Sequence, residues 1–571
     1  MEHKEADPHH ATTLYINGQN LTVEDVVDVA RNGRKAQLSP DAAEEIQRCR
    51  AWVDDVVAEG KLTVYGLNTG FGSLAEVRIP QDKIESLSAN MIMSHSAGVG
   101  PPLAEEVVRA TMLIRANTLA KGYSGIRLMT LQTLLEMLNK GVHPVLPEKG
   151  SVGASGDLAP LSHLALALSR QSKGGEAFYQ GRRMKAREAM AKAGIEQVVL
   201  KAKEGIALNN GSTVSAAVAA LALHDAENLV KNAQIALAMS LEALRGVSDA
   251  FHEKVHRARG HEGQIRVAGN VLRLVEGSGL IDSTDRVQDA YSLRCGPQVI
   301  GPASDVLAFV RFVLSKEINA ATDNPLIFLD LPRARANKAI SCGNFHGEPV
   351  ALAMNMLGMA VAEVGNIAER RTFRLLDNTL SAGLPAMLVE ESGLNNGLMM
   401  AQYTSAALVS DNKTLAHPDS VDSIPTCASQ EDFVSMSANA ARHAREIVWN
   451  TEQIIGVEML CAAQALDFRR AGLEFSSITW QREESGERVR KVVEYELRGG
   501  RTVDESTLGV GTKAAHEAIR KEIDHLSDDR PLYPDLARMA DMVHTGQIVS
   551  DVESALGTPL QGVAELVVKS G

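Results

Sequence analysis

From Ser212 to Arg245 the chain is rich in alanine and leucine and carries no proline or glycine until Gly246. Such a run predicts a long helix stopped by a glycine. Val350 to Arg371 is apolar on nearly every face before it turns charged, and a helix apolar all round is one buried by other helices. Similar patterns recur from Glu363 to Leu376 and from Ser435 to Leu466. Together they predict a bundle of long, mutually buried helices in the middle of the chain. Before residue 205 the pattern is broken by Gly and Pro clusters at 97–102 and 141–156, as in a mixed layer carrying loops. From Gln481 to Thr502, QREESGERVRKVVEYELRGGRT is dense in charge and reads as an exposed insertion lengthening the C-terminal region over 481–511. The expected protein is mainly α, with a mixed N-terminal domain over 1–204, a helical bundle over 205–480 and a C-terminal helical region over 481–571. No internal repeat is evident.

Composition narrows the function classes. With 571 residues, 45% hydrophobic and 23% charged, the chain is an ordinary globular one long enough for a large interior. Its net charge of −13 does not suggest a nucleic-acid partner, which would call for a basic face. Five widely spaced cysteines without a CxxC pair indicate neither a disulfide framework nor a zinc knuckle, and fit a reducing compartment. The first residues, MEHKEADPHH, have no apolar core. The expectation is a cytoplasmic protein with no membrane partner.

Three short motifs bear on chemistry. His252, Glu253 and His256 spell H-E-x-x-H, which on a helix would set two imidazoles on one face as zinc peptidases require. Its flanks, polar and broken by glycine, argue against that. Around Ser155 a G-x-S-x-G elbow would need glycine at 157, and Asp157 stands there. The third motif, GSVGASGDLAP at Gly150 to Pro160, holds three small residues, Ala154, Ser155 and Gly156. A flexible turn would explain them. So would backbone chemistry: the Gly156 amide nitrogen attacks the Ala154 carbonyl carbon, and loss of water from the ring and from Ser155 leaves an exocyclic methylidene. Small side chains permit the close approach, and the product is an electrophile no ordinary side chain supplies.

GSVGASGDLAPLSH resembles the hallmark of the histidine and aromatic amino-acid ammonia-lyase family, whose members build a 4-methylidene-imidazol-5-one group (MIO) from Ala-Ser-Gly. The resemblance extends to VYGLNTGFG (64–72), ALNNGS (207–212), VQDAYSLRCGPQ (287–298), TDNPL (322–326), GNFHGEPVA (343–351) and DNKTLAHPDSVDSIPT (411–426). It implies a fumarase/aspartase-like long-helix fold, a homotetramer with shared active sites, and MIO formed from Ala154, Ser155 and Gly156. It also implies roles: Tyr65 as the base for the substrate β-proton, Asn210 and Tyr291 as partners of the prosthetic group and its developing charge, and Arg294 as the carboxylate clamp. Gln288, Asn344 and Phe345 complete the pocket.

Ser94-His95 and Glu431 stand where the family reads the substrate side chain, and both resemble the histidine-using members. The implied reaction is non-oxidative deamination of L-histidine to trans-urocanate and ammonia, with phenylalanine or tyrosine giving a cinnamate-type acid as the alternative. Phe433, Ala290, Gly296 and the 481–511 insertion depart from the histidine-using pattern. Phe433 would bring an extra aromatic ring near Glu431. Outside the family, a zinc peptidase and a non-catalytic helical scaffold remain as other classes.

Overall fold

A computed structural model describes residues 13–563 apart from 172, 333, 335 and most of 472–506. The expectation of an exposed insertion falls largely outside the described residues. By contact the chain forms two units, each discontinuous in sequence: 1–224, 310–355 and 418–445 in the first, and 225–309, 356–417 and 446–571 in the second. The division falls within four helices, Thr213–Ala243, Gly296–Glu317, Glu348–Leu376 and Ser437–Arg470. Grouping by contact therefore differs from a grouping in chain order broken at 204 and 480.

In the first unit the helix Glu105–Ala120 is buried at every position from Val107 onward. Fully burying each of its large apolar side chains, such as Leu113 and Leu119, contributes about 1.5–3 kcal/mol. Around it lie helices with legible ends. Thr22 and Asp25 close a capping box on Val23–Arg31. Ser39 caps Pro40–Glu59, which ends at left-handed Gly60. The expected mixed layer is a set of small sheets. Val142–Pro144, Glu176–Tyr179 and Arg182–Lys185 form an antiparallel three-stranded sheet in that order. Val99–Pro102 pairs with Pro147–Lys149, and the second of these strands leads the chain into the 150–156 loop. The apolar helix Leu158–Leu168 follows, buried at all but two positions, and anchors that loop from its C-terminal side.

In the second unit Arg371 and Glu458, both without solvent exposure, form a bidentate ion pair at 2.5 and 2.7 Å. Ser240 Oγ donates to the same carboxylate at 2.7 Å, so the buried charges are hydrogen-bonded as well as paired.

The predicted long helices are present, with two differences. The patterns at 350–371 and 363–376 are one helix, Glu348–Leu376, on which Leu352, Met356, Met359 and Phe373 are exposed rather than buried all round. At the end of Thr213–Ala243 the left-handed residue is Arg245, with φ 53°, and not Gly246. Gly246 serves packing instead: a Cβ there would lie 2.2 Å from Leu241 Cδ1. By length and composition Tyr291–Glu317 and Glu348–Leu376 could cross a membrane, and 44% and 61% of their most apolar windows are buried in the fold.

The H-E-x-x-H motif does not form a zinc helix. His252 precedes the seven-residue helix Glu253–Arg259 as its cap, with its ring accepting from the Lys254 N–H at 3.2 Å. His256 is buried, with one ring nitrogen on Ala250 O at 3.1 Å and the other on Gln264 Nε2 at 2.8 Å. The two imidazoles do not share a helical face, and both nitrogens of the second are engaged.

Candidate active site

Ala154 is buried against Val152, Val434 and Met436. The loop before it is pinned by backbone and hydroxyl donors: Met436 N–H reaches Val152 O at 2.8 Å, and Gly347 N–H and Ser435 Oγ reach Gly153 O at 3.1 and 2.9 Å. At Gly156, φ is 70°, and a Cβ would lie 2.2 Å from the carbonyl carbon of Gly211. The two glycine backbones touch because neither carries a side chain. Asp157 N–H then donates to Gly211 O at 2.8 Å. Its buried carboxylate accepts from Ser215 N–H at 2.7 Å, Ser215 Oγ at 2.9 Å and Ser151 Oγ at 2.8 Å. Burial pushes the Asp157 carboxyl up, and the donors of Ser215 and Ser151 oppose that push.

Ser155 faces a cleft of about 610 Å³ that is also lined by Tyr65, Met91, His95, Asn210, Cys427 and Glu431. Its hydroxyl donates to Glu431 Oε1, and Asn210 Nδ2 donates to its carbonyl oxygen at 2.8 Å. Asn210 Oδ1 is buried and finds no partner among the described residues. Thr426 Oγ1 holds the second oxygen of Glu431 at 2.5 Å. The backbones of Thr426 and Glu431 pair across a tight turn in which Cys427, Ala428 and Ser429 all have positive φ, 51°, 51° and 64°. Three consecutive non-glycine residues in that region are strained.

Tyr65 Oη accepts from Gly72 N–H at 3.2 Å, and its ring meets Phe71 edge-on with centroids 6.3 Å apart. Burial pushes the phenol up from its ordinary value; the Gly72 N–H draws it down, and the Glu431 carboxylate adds to the upward push. At the end of helix Ile84–His95, Ser94 Oγ donates to Met91 O at 3.0 Å and lies 2.9 Å from His95 Nδ1. A hydroxyl has one proton to give, so His95 is assigned Nδ1–H, which leaves Nε2 as an acceptor. Burial also lowers the His95 pKa, against the Met91 carbonyl and Glu431, which raise it, and keeps the ring neutral near pH 7.

The cleft thus brings together Tyr65, Ser94, His95, Ser155, Asn210 and Glu431, drawn from positions up to 366 residues apart in sequence (431 − 65). Other expected site residues lie outside its lining. Asn344 donates to Ala321 O at 3.2 Å, and Phe345 is half-buried. Gln288, Tyr291 and Arg294 belong to the second unit. There Tyr291 is 71% exposed, and the Arg294 guanidinium sits 4.6 Å from its ring centroid while Nε donates to Asp289 O at 2.9 Å. Phe433 does not bring a ring into the cleft. It is exposed and stacks on His346 with centroids 5.9 Å apart. Sequence reasoning missed Thr426 and Cys427, although Thr426 ends a family-like motif.

A family model described as aromatic amino acid lyase matches residues 21–495. The chain belongs to this family. It is an ammonia-lyase, an enzyme acting on a carbon–nitrogen bond. The lyase is 48% identical over 545 residues to the histidine ammonia-lyase of Alkaliphilus oremlandii, covering 95% of this chain and 99% of that protein. Its fold matches the crystal structure of histidine ammonia-lyase from Trypanosoma cruzi with a TM-score of 0.82 and 37% identity, over 98% and 100% of the two chains. It also matches tyrosine aminomutase from Streptomyces globisporus with a TM-score of 0.84 and 33% identity, over 96% and 100%. The long-helix lyase architecture is that of this chain.

Proposed function

We propose that this lyase eliminates ammonia from L-histidine to give trans-urocanate, using MIO formed from Ala154, Ser155 and Gly156. The observation that carries the reading is the pair His95 and Glu431 beside Ser155 in one cleft. A neutral imidazole acceptor and a carboxylate can each take an N–H of a substrate imidazole. Similarity to curated histidine ammonia-lyases over nearly the whole chain supports the same substrate.

The residues present fit the prosthetic group. No side chain separates the Gly156 and Gly211 backbones, Ala154 is small and held, and the unpartnered Asn210 Oδ1 beside Ser155 leaves a polar position for a changed loop to meet. When formed, the group supplies an electrophilic carbon that makes the substrate amine a better leaving group. The chain's own residues do the rest. Asn210 donates at the Ser155 carbonyl oxygen, where negative charge is steadied by an aimed amide. Tyr65 Oη takes the β-proton, and the Gly72 N–H that it already accepts stabilises the phenolate. His95 and Glu431 orient the imidazole.

Arg294 would clamp the substrate carboxylate, with Tyr291 and Gln288 beside it, and Asn344 and Phe345 would complete the pocket. Tyr291 and Gln288 are exposed on the second unit, outside the cleft lining, as a contribution to a neighbouring subunit's cleft would require. A homotetramer with shared sites accounts for this, and for exposed Met356, Met359, Tyr403 and Trp449 on long helices. Five free thiols fit a cytoplasmic location.

One experiment tests the reading: intact mass together with a panel of histidine, tyrosine and phenylalanine followed by product absorbance. The expected wild type is lighter than its sequence by two waters and prefers histidine, whereas Ser155→Ala, with no hydroxyl to lose, keeps its plain mass and is inactive. A wild type of plain mass refutes MIO. Preference for phenylalanine or tyrosine replaces the substrate and leaves the class standing.

A further inference from the structure

Helix Glu105–Ala120 carries a guanidinium, Arg115, with no solvent exposure at all. Nη1 donates to Asn210 O at 2.9 Å and to Ala207 O at 3.3 Å, and Nη2 donates to Thr213 Oγ1 at 2.5 Å. Ala207 lies in the short helix Glu204–Asn209, and Thr213 opens the long helix Thr213–Ala243. One planar fork therefore grips both sides of the Asn210–Gly211–Ser212 turn. It supplies donors for carbonyls at a helix end, which have no partner within their own helix.

The turn is the surface against which the 154–156 loop is pressed. A Cβ on Gly211 would fall 2.8 Å from Arg115 Nη2, and a Cβ on Gly156 would fall 2.2 Å from the Gly211 carbonyl carbon. Guanidinium, Gly211 and Gly156 thus stack with no side chain between them. The same turn aims Asn210 Nδ2 at the Ser155 carbonyl. Burial lowers the Arg115 pKa to about 10, with Asp323 and Asp157 opposing the shift, so the group is charged at neutral pH. A buried cation is costly to hold, and a helix C-cap alone does not require one.

We propose that Arg115 is a positioning residue for cyclisation of Ala154-Ser155-Gly156, holding the Asn210–Gly211 turn so that Gly156 is pressed toward the Ala154 carbonyl. The inference rests on the proposed MIO. The step balances without a co-reactant. The Gly156 nitrogen bonds to the Ala154 carbonyl carbon, and that oxygen leaves as water with the Gly156 and Ser155 amide protons. The Ser155 hydroxyl leaves as a second water with the Ser155 Cα proton, forming the exocyclic double bond. Nothing is oxidised or reduced overall.

The test compares intact masses of the folded, size-selected wild type, Arg115→Lys and Thr213→Val, with circular dichroism and melting temperature measured on the same samples. Lysine keeps the charge and loses the planar fork; valine removes one acceptor and leaves the charge. The expected wild type is fully converted, two waters light. In Arg115→Lys the converted fraction of folded molecules falls at least fivefold, and in Thr213→Val it falls partially. A purely structural Arg115 would lower the melting temperature but leave every folded molecule converted, and full conversion in Arg115→Lys overturns the proposal. Should Arg115→Lys not fold, full conversion in Thr213→Val overturns it and partial conversion upholds it. A wild type of plain mass removes MIO itself, and this inference with it, whereas a converted wild type leaves MIO standing whatever the variants do.

Discussion

Replacing Tyr65 by phenylalanine separates a stability effect from a chemical one. Phenylalanine keeps the ring and so keeps the edge contact with Phe71. What is lost is one acceptor, the oxygen that takes the Gly72 N–H at a long 3.2 Å. A net intramolecular hydrogen bond contributes about 0.5–1.5 kcal/mol, and this geometry belongs at the low end. Removing a general base costs roughly 10² to 10⁴ in rate. At 1.36 kcal/mol per tenfold that is about 3–5 kcal/mol of transition-state stabilisation, several times the stability term. Steady-state deamination of histidine is expected to show kcat falling by that factor with KM nearly unchanged. Denaturant unfolding should move by no more than about 1 kcal/mol.

The pH dependence adds a second readout. A base works deprotonated, and burial holds the Tyr65 phenol above its ordinary value. The active fraction therefore grows as pH rises toward that value. Wild-type kcat/KM should climb through the alkaline range, and the climb should vanish in Tyr65→Phe. A variant with kcat within about threefold of wild type, where loss of a base predicts at least a hundredfold, or with the wild-type pH slope, would refute the assignment.

Three other outcomes are expected. The double variant His95→Leu, Glu431→Gln loses two imidazole partners at roughly 1–3 kcal/mol each; the histidine-to-phenylalanine ratio of kcat/KM should fall at least tenfold, and an unchanged ratio removes both residues from specificity. Ala428→Gly relieves a left-handed residue at φ 51°, ψ 44° and should stabilise the protein by about 1 kcal/mol in unfolding experiments; destabilisation would mean that the turn is not strained. At Asp467 burial raises the carboxyl pKa, but hydrogen bonds from His516 and His525 and the charge of Arg520 outweigh it and hold the group well below the usual range. Its stabilisation is complete above the unfolded value of about 4 and is lost as pH falls toward the folded one, so Asp467→Asn should be less stable at pH 7 and lose less stability than wild type between pH 5 and 3; parallel acid profiles would contradict this.

The sequence was most legible where structure is local. A run of alanine and leucine without glycine or proline is enough to place Thr213–Ala243, because helix propensity is a property of the segment itself. Gly246 marks its end, but by packing and not as a left-handed cap: Arg245 takes the left-handed turn, and Gly246 makes room for Leu241. On Glu348–Leu376 the residues Leu352, Met356, Met359 and Phe373 stay exposed in the single chain, since an apolar pattern marks what a side chain avoids and not which neighbour covers it. The H-E-x-x-H letters failed because two histidines at that spacing share a face only inside a helix, and His252 stands outside it. Phe433 stands only two positions from Glu431, yet closeness in sequence does not place its ring in the cleft, because the ring is drawn outward onto His346.

The least legible contacts are those that join distant segments, and they explain why the small residues of the 150–156 loop matter. Ser155 and Glu431 are 276 positions apart, and Arg115 and Asn210 are 95 apart. No local pattern encodes either pair. In the folded chain one oxygen of Glu431 is held by Thr426 and the other by the Ser155 hydroxyl. On the proposed reading that hydroxyl departs as water, which returns one carboxylate oxygen to the cleft where the substrate imidazole must bind. Loss of the Ser155 hydroxyl would therefore do two things at once: complete the electrophile and release the acceptor that selects its substrate. A bulkier residue at 154 or 156 would block the first, and a hydroxyl that stayed would block the second. The Ala-Ser-Gly run thus meets a steric and an electrostatic condition together, and neither can be read from three small letters without the partners that the fold brings to them.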